Sequence, residues 1–420
     1  MIDGEVRELL EAFGAVEIDG AKWCGKTWLA LNHACSAIHL DDDEAQALTN
    51  ADPKLALQGA QPRLIDEWQE VPKVRDAIRR AVDASGSKPG AFLLTGSSTP
   101  TDIDAIHHSG AGRMAFLHLR PLSLFEAGVS DGSVSLGGLF DGVFEGGQKD
   151  TGLDVIAEEI CRGGWPAGRN LPLDRALRIP GQYMKSVYGF SAPKLKKSGA
   201  TAARVFAALA RTTGDAASYA TLVSDISEGE HASARNGAGK STVEEYLDFF
   251  KRLYLVEELL GWDAPVRSRA RVRTRPKRYV VDPSLAANEL GLSPEALLRD
   301  MQTFGKLFEC LCIRDIRVYL SACAETADAK LRYYLDDYGL EVDAIVELSD
   351  GRWGGIEIKL SEDKVEEGVA NLLRLKAKVD GNGMARAVAP SFLAVLVGRT
   401  SFARKTPDGV YVIPITSLTL

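Results

Sequence analysis

The sequence predicts an α/β protein in three parts, and three stretches carry that prediction. The octet "GAKWCGKT" at 20–27 stands between the strand-like run "AVEI" and the helix-like run "WLALNHA". From about residue 201, segments with apolar residues at helical spacing follow one another. From 331 to 360 the chain reads as three strands joined by turns, "KLRYYLDDYGLEVDAIVELSDGRWGGIEIKL". At 420 residues the chain exceeds a single core, because domains average ~150 residues. Its hydrophobic content of 45% and charged content of 26% suit a soluble globular protein. The net charge of -8 gives no global attraction to nucleic acid, so any such contact needs a local basic patch. No apolar run reaches the ~20 residues of a membrane span. The acidic start "MIDGEVRELLEAFG" is unlike a signal peptide, so the expected location is cytoplasmic, with no membrane partner. The six cysteines form no C-x-x-C pair, which makes reduced thiols the expectation and zinc unlikely.

Gly20, Gly25, Lys26 and Thr27 fit the pattern G-x-x-x-x-G-K-[ST]. Strand, loop and helix are predicted in the order a phosphate loop needs: strand 15–18, then a helix over "KTWLALNHACSA". The two glycines let backbone N–H groups wrap an anion, Lys26 reaches the β- and γ-phosphates, and the Thr27 hydroxyl meets Mg²⁺. "PRLIDEWQ" at 62–69 reads as a short strand ending in Asp66 and Glu67, at the strand end where open α/β sheets hold ligands. Asp66 is the candidate holder of Mg²⁺ and Glu67 the candidate base for an attacking water. "AFLLTGSS" at 91–98 is a further buried strand, and Thr95, Ser97 and Ser98 are all open as the residue that senses the γ-phosphate; Ser97 is the working choice.

"GAKWCGKT", "RLIDEWQEVP", "FLLTGSS", "GAGRM" and "LRPLSLFEAG", in this order and spacing, resemble bacterial AAA-type ATPases related to the archaeal-ATPase and STAND groups. The resemblance implies a P-loop NTPase core with a parallel sheet over 1–185, then a winged helix-turn-helix over 186–290. A C-terminal domain similar to PD-(D/E)XK nucleases would fill 291–420. It also implies ATP and Mg²⁺ as cofactors. Arg113 in "GAGRM" would then be an arginine finger on a neighbouring subunit's ATP in a homo-oligomer; the alternative is an arginine paired with a carboxylate of its own domain. Leu119, Leu122, Leu124 and Phe125 read as core, with Ser123 as a cap.

The middle of the chain reads as three helices, "TAARVFAALARTTG", "SYATLVSDI" and "STVEEYLDFFKRLYLVEEL", followed by strands, the pattern of a winged helix. Just before the third helix, "NGAGKST" imitates a second phosphate loop. Ala234 stands where its first glycine belongs, so the segment reads as a turn. In "PVRSRARVRTRPKRYVV" at 265–281, Arg267, Arg269, Arg271, Arg273 and Arg275 alternate with small or apolar residues, and Lys277 and Arg278 follow. Period-two alternation predicts one basic strand face over 267–278. Three roles stay open for it: contact with DNA or RNA phosphates, a solvated edge strand, or packing on an acidic surface.

Near the C-terminus, "FGKLFECLCIRDIRVYLSA" predicts a helix carrying Glu309. Asp343 lies in the second of the three strands, and Glu357 and Lys359 flank Ile358 in the third. Residues two apart share a strand face, and antiparallel neighbours bring that face opposite Asp343. Glu309, Asp343 and Glu357 are the candidate metal ligands, with Lys359 to orient water or stabilise charge. These residues resemble the PD-(D/E)XK core, although Val342 stands where that pattern has proline. Cleavage of nucleic acid and a scaffold that has lost cleavage are both open.

Overall fold

The computed structural model describes residues 1–98, 112–147, 151–227, 239–265, 268–381 and 389–420. They form two compact units. The first comprises Met1–Pro121 with Arg252–Tyr254 and Ser321–Ala324; the second holds the rest. Among the described residues no helix is long and apolar enough to cross a membrane.

The first unit is built on five parallel strands: β1 (Ala15–Asp19), β2 (Ser36–His39), β3 (Arg63–Asp66), β4 (Phe92–Gly96) and β5 (Met114–His118), in the order β2-β3-β4-β1-β5. The central strands are buried end to end, so both sheet faces are covered, which is why they read as apolar runs and not as alternations. Helix Lys73–Ala84 lays Val74, Ala77, Ile78 and Val82 into this core. It also sends Arg75 to Glu17 on β1, where the two pair at 3.1 Å. Because every strand runs the same way, Asp19, Asp66 and Gly96 all end at one edge of the sheet. Arg113, which precedes β5, stands at the opposite edge.

One local expectation gave way here. The helix starting at Lys26 stops at Leu31 instead of running on to 37, and Ser36–His39 turn into β2. Pairing with β3 outweighs the weak helical preference of "NHACSA".

In the second unit a short strand β6 (Val134–Ser135) precedes a run of helices, among them Leu153–Arg162, Gly199–Arg211, Tyr219–Ser227 and Lys240–Arg252. Then come β7 (Val256–Trp262), β8 (Lys277–Val280), β9 (Lys330–Leu335), β10 (Glu341–Glu347), β11 (Trp353–Ser361), β12 (Phe392–Arg399), β13 (Arg404–Lys405) and β14 (Tyr411–Pro414). These eight form a single sheet in the order β13-β14-β12-β11-β10-β9-β7-β8. The final strand, β15 (Leu418–Thr419), pairs with β6. β9, β10 and β11 are antiparallel neighbours, and helix Val365–Asp380 crosses over so that β12 runs parallel to β11. That helix is not wholly solvent-facing: Val365, Leu372, Leu375 and Val379 join β10 and β12 in one apolar cluster.

Two middle-region expectations are corrected. The third helix ends at Arg252, because "VEELLGW" alternates and pairs with β8 and β9. The basic strand is not a strand over most of its length. Ala270–Arg273 is a short helix, and only Lys277–Val280 is extended. The cause is Arg271, whose two terminal nitrogens each reach Glu347 at 2.7 Å while its Nε donates to the Asp263 carbonyl at 2.6 Å. Arg269, Arg273 and Arg275 remain exposed; Arg271, Lys277 and Arg278 turn inward to carboxylates. Arg267 lies outside the described residues, as do Ala234 and the start of "NGAGKST" up to Ala238.

Helix Met301–Ser321 is anchored by a fully buried charge cluster. Arg314 pairs with Asp282 at 2.8 Å and Asp315 at 2.7 Å. Asp315 also accepts the Leu124 N–H at 2.9 Å, and Asp282 the Gly164 N–H at 2.9 Å. Burial pushes the Asp315 carboxyl up, and Arg314 opposes that shift. Replacing Arg314 with Met would leave two buried carboxylates without their cation. The expected loss is ~3–5 kcal/mol from the second unit, read as a lower urea midpoint for its unfolding.

Candidate functional site

At the shared strand edge of the first unit the chain turns from β1 into the loop. Gly20 has φ +141°, and a Cβ there would come within 2.1 Å of the Leu119 carbonyl oxygen. Gly25, with φ 105°, sits immediately before the helix that opens at Lys26. Lys26 is buried, and its ammonium donates to the carbonyls of Gly20 at 2.9 Å and Ala21 at 2.8 Å. That helix, Lys26–Leu31, is only six residues long.

Asp66 is the hub beside this loop. Thr27 Oγ1 donates to its Oδ1 at 2.9 Å, Thr95 Oγ1 donates to the same oxygen, and His39 Nδ1 lies 2.9 Å from Oδ2. Glu67 follows in the left-handed region at φ 53°, uncommon for a side-chain-bearing residue and frequent where geometry serves function. Its Oε2 accepts from Ser97 Oγ at 2.9 Å and from Gln69 Nε2. The three open hydroxyls thus separate: Thr95 faces Asp66 and Ser97 faces Glu67. Thr27 and Asp66 together offer a hydroxyl and a carboxylate, the hard oxygen donors Mg²⁺ takes. Arg113 is not brought to this edge; its Nε pairs with Asp83 at 2.7 Å.

The second constellation lies on β10 and β11. Ala344 pairs with Ile356, which sets Asp343 opposite Glu357 one step on. A register shift between Val342 and Ile345 against β9 puts a bulge at Asp343, a device that re-aims a side chain. Asp343 Oδ2 accepts the Ile358 N–H at 2.8 Å. Glu357 accepts from Lys359 at 2.7 Å and from Asn371 Nδ2 at 3.4 Å. Burial, then the Glu309 charge, pushes the Asp343 carboxyl up to about 6. Burial, then the Asp343 charge, pushes the Glu357 carboxyl up to about 8.

Glu309 does not complete a three-carboxylate site. It is drawn to Lys277 at 2.9 Å and to the Tyr279 hydroxyl at 2.6 Å. Among the described residues no three or more His, Cys, Asp or Glu side chains are grouped to hold a metal ion. Ammonium groups contact the acids of the expected metal set of Glu309, Asp343 and Glu357: Lys277 stands at Glu309 and Asp343, and Lys359 at Glu357. Sequence reasoning missed Asn371, Tyr279 and this role of Lys277. Lys277 and Tyr279 are two apart in β8 and so share a face, a signal hidden within the longer arginine alternation.

Fold and loop together define a phosphate-loop α/β domain. Residues 13–128 match the family described as an AAA domain. Residues 153–296 and 304–418 match two domains of unknown function, DUF8612 and DUF4143. Uncharacterized proteins of Mycobacterium tuberculosis and Mycobacterium bovis are 27% identical over 361 residues, covering 84% of this chain and 72% of theirs. Among solved structures, a Walker-type ATPase of Pyrococcus abyssi aligns at 12% identity with TM-score 0.40, over 69% of this chain and 94% of that one. The ORC2 protein of Aeropyrum pernix aligns at 12% identity with TM-score 0.33, over 71% and 94%.

The raised Glu357 carboxyl sets a stability prediction. Its folded-state pKa lies above the ordinary 4.5, so its contribution is full below that value and is lost as pH rises toward 8. Glu357→Gln removes the titration. Relative to wild type, the variant should gain on the order of 1–3 kcal/mol between pH 5 and pH 8, measured by urea unfolding. Parallel pH profiles for the two proteins would refute the assignment.

Proposed function

We propose that this protein is a Mg²⁺-dependent ATP hydrolase whose nucleotide cycle works on a nuclease-like C-terminal domain. The observation that carries the ATPase reading is the convergence on Asp66: the loop's own Thr27 hydroxyl bonds the carboxylate that ends β3. In this reading Lys26 and the backbone of Gly20 and Gly25 hold the phosphates. Thr27 and Asp66 hold the ion, which neutralises charge on the phosphate oxygens. Glu67, positioned by Ser97, draws the proton from the attacking water. Arg113 acts on the nucleotide of a neighbouring copy in a homo-oligomer.

The proposed parts are an ATPase domain over 1–185, a winged helix over 186–290 and a PD-(D/E)XK-like domain over 291–420. Three helices followed by the antiparallel pair β7–β8 support the second part. The order helix, three antiparallel strands, crossover helix and parallel strand supports the third, together with Asp343 facing Glu357 and Lys359. Exposed Arg269, Arg273 and Arg275 are the surface we assign to DNA or RNA phosphates. A platform without cleavage is the second reading, favoured by the lysines that already pair the C-terminal carboxylates.

Two experiments test this. Lys26→Ala should abolish ATP turnover, and Glu67→Gln should bind ATP while losing ~10²-fold or more in kcat; equal turnover in wild type and Lys26→Ala refutes the phosphate loop. Purified protein incubated with DNA or RNA, Mg²⁺ or Mn²⁺, with and without ATP, should cut in a manner lost in Asp343→Ala. Intact substrates throughout leave the platform reading.

A further inference from the structure

The side chain of Lys277 is 5% exposed, among the least accessible lysine side chains a soluble chain tolerates. Its ammonium lies 2.9 Å from Glu309 Oε1, 2.5 Å from Glu341 Oε1 and 3.8 Å from Asp343 Oδ1. Its nitrogen also rests over the Tyr333 ring, 5.4 Å from the centroid, and the Tyr333 hydroxyl donates to the Arg275 carbonyl just upstream. Two carboxylates of β10 and one of the long helix thus point at one nitrogen supplied by β8. The carboxylates of a nuclease-like centre would ordinarily converge on a divalent ion. Here a fixed ammonium occupies the convergence point, and Lys359 takes Glu357 on the other side.

We propose that Lys277 is a tethered cation that locks this centre, filling the place among Glu309, Glu341 and Asp343 and keeping divalent ions off Asp343. The inference rests on the nuclease-like reading of the same residues, but it concerns ion binding and not cleavage. β8 is then a working part of the C-terminal centre, although it lies before the C-terminal segment in sequence. The lock is specific in its chemistry. An ammonium carries one charge; here it is within hydrogen-bond distance of Glu309 and Glu341 and stands 3.8 Å from Asp343, and it offers no open coordination position. A divalent ion entering beside it would meet like charge at a few ångströms in a poorly hydrated place.

The test is Mn²⁺ binding to the full chain, counted by electron paramagnetic resonance, with folding checked by circular dichroism. Lys277→Gln keeps a side chain that can hydrogen-bond the acids and removes the charge. It should gain one Mn²⁺ site, ~100-fold tighter than anything wild type shows at this centre, and Lys277→Gln with Asp343→Asn should lose it again. No gain in Lys277→Gln overturns the lock. Should that variant not fold, wild type and Asp343→Asn decide: equal Mn²⁺ stoichiometry supports the lock, and a site lost with Asp343 overturns it. A variant that gains the ion yet cuts no nucleic acid keeps the lock and removes the nuclease reading, so the two failures are separable.

Discussion

The buried Arg314 guanidinium is the constraint on which the second unit depends. It lies between Asp282 and Asp315, and those acids reach back to the backbone N–H groups of Gly164 and Leu124. One side chain thereby ties three distant stretches of chain to the helix Met301–Ser321. Burying three charges is expensive, and such clusters persist only when nearly every lone pair and donor is satisfied. That condition fixes how the helix is turned about its axis. Glu309 lies upstream of Arg314 on the same helix, so the anchoring of one helps set where the other can reach. The position of Glu309 against Lys277 and Tyr279 is in part a consequence of a salt bridge well away from it.

What could be read from the sequence follows the range of the interactions involved. The phosphate loop and the acid pair after β3 were legible because their chemistry is local: glycines, a lysine and a hydroxyl at fixed spacing, then a short apolar strand ending in Asp66 and Glu67. Asp343, Glu357 and Lys359 were legible because strand periodicity alone puts them on one face. The outer limits of the β9–β11 span, expected at 331 and 360, fall within a residue of Lys330 and Ser361. Strand β2 was not legible, since only its pairing with β3 makes "SAIH" extended. The arginine run misled for the opposite reason. Its alternation is a true strand signal, but Glu347 sits 76 residues later and captures Arg271, folding the segment into a turn of helix. Local pattern yields when a partly buried bidentate pair competes with it.

The same long-range competition divides the basic residues into two sets. Arg271, Lys277 and Arg278 are committed to carboxylates, whereas Arg269, Arg273 and Arg275 face solvent. A face of six basic groups, every second residue from Arg267 to Lys277, would have dominated its surroundings in a chain of net charge -8. Three exposed arginines beside an apolar Val272 make a narrower patch. On the proposed role its contribution to phosphate binding would scale with the number of contacts, and three contacts alone would give weak, salt-sensitive association.

The two acidic centres differ in how their charge is balanced, and that difference carries their chemistry. Around Asp66 the partners are mainly hydroxyls, Thr27 and Thr95, with His39 at the edge. Hydroxyls orient a carboxylate without cancelling its charge, so the site keeps a demand for a cation that a nucleotide can bring with it. Around Asp343 the partners include two ammonium groups on neighbouring acids. There the demand is met from within the chain, at the cost of burying the acids so deeply that Glu357 holds its proton toward neutral pH. An oxygen cage that already contains its counter-charge is stable without a ligand and indifferent to one until the counter-charge is removed. On the proposed function the first centre would take up its cation with the nucleotide, whereas the second holds its counter-charge on the strand that carries Lys277.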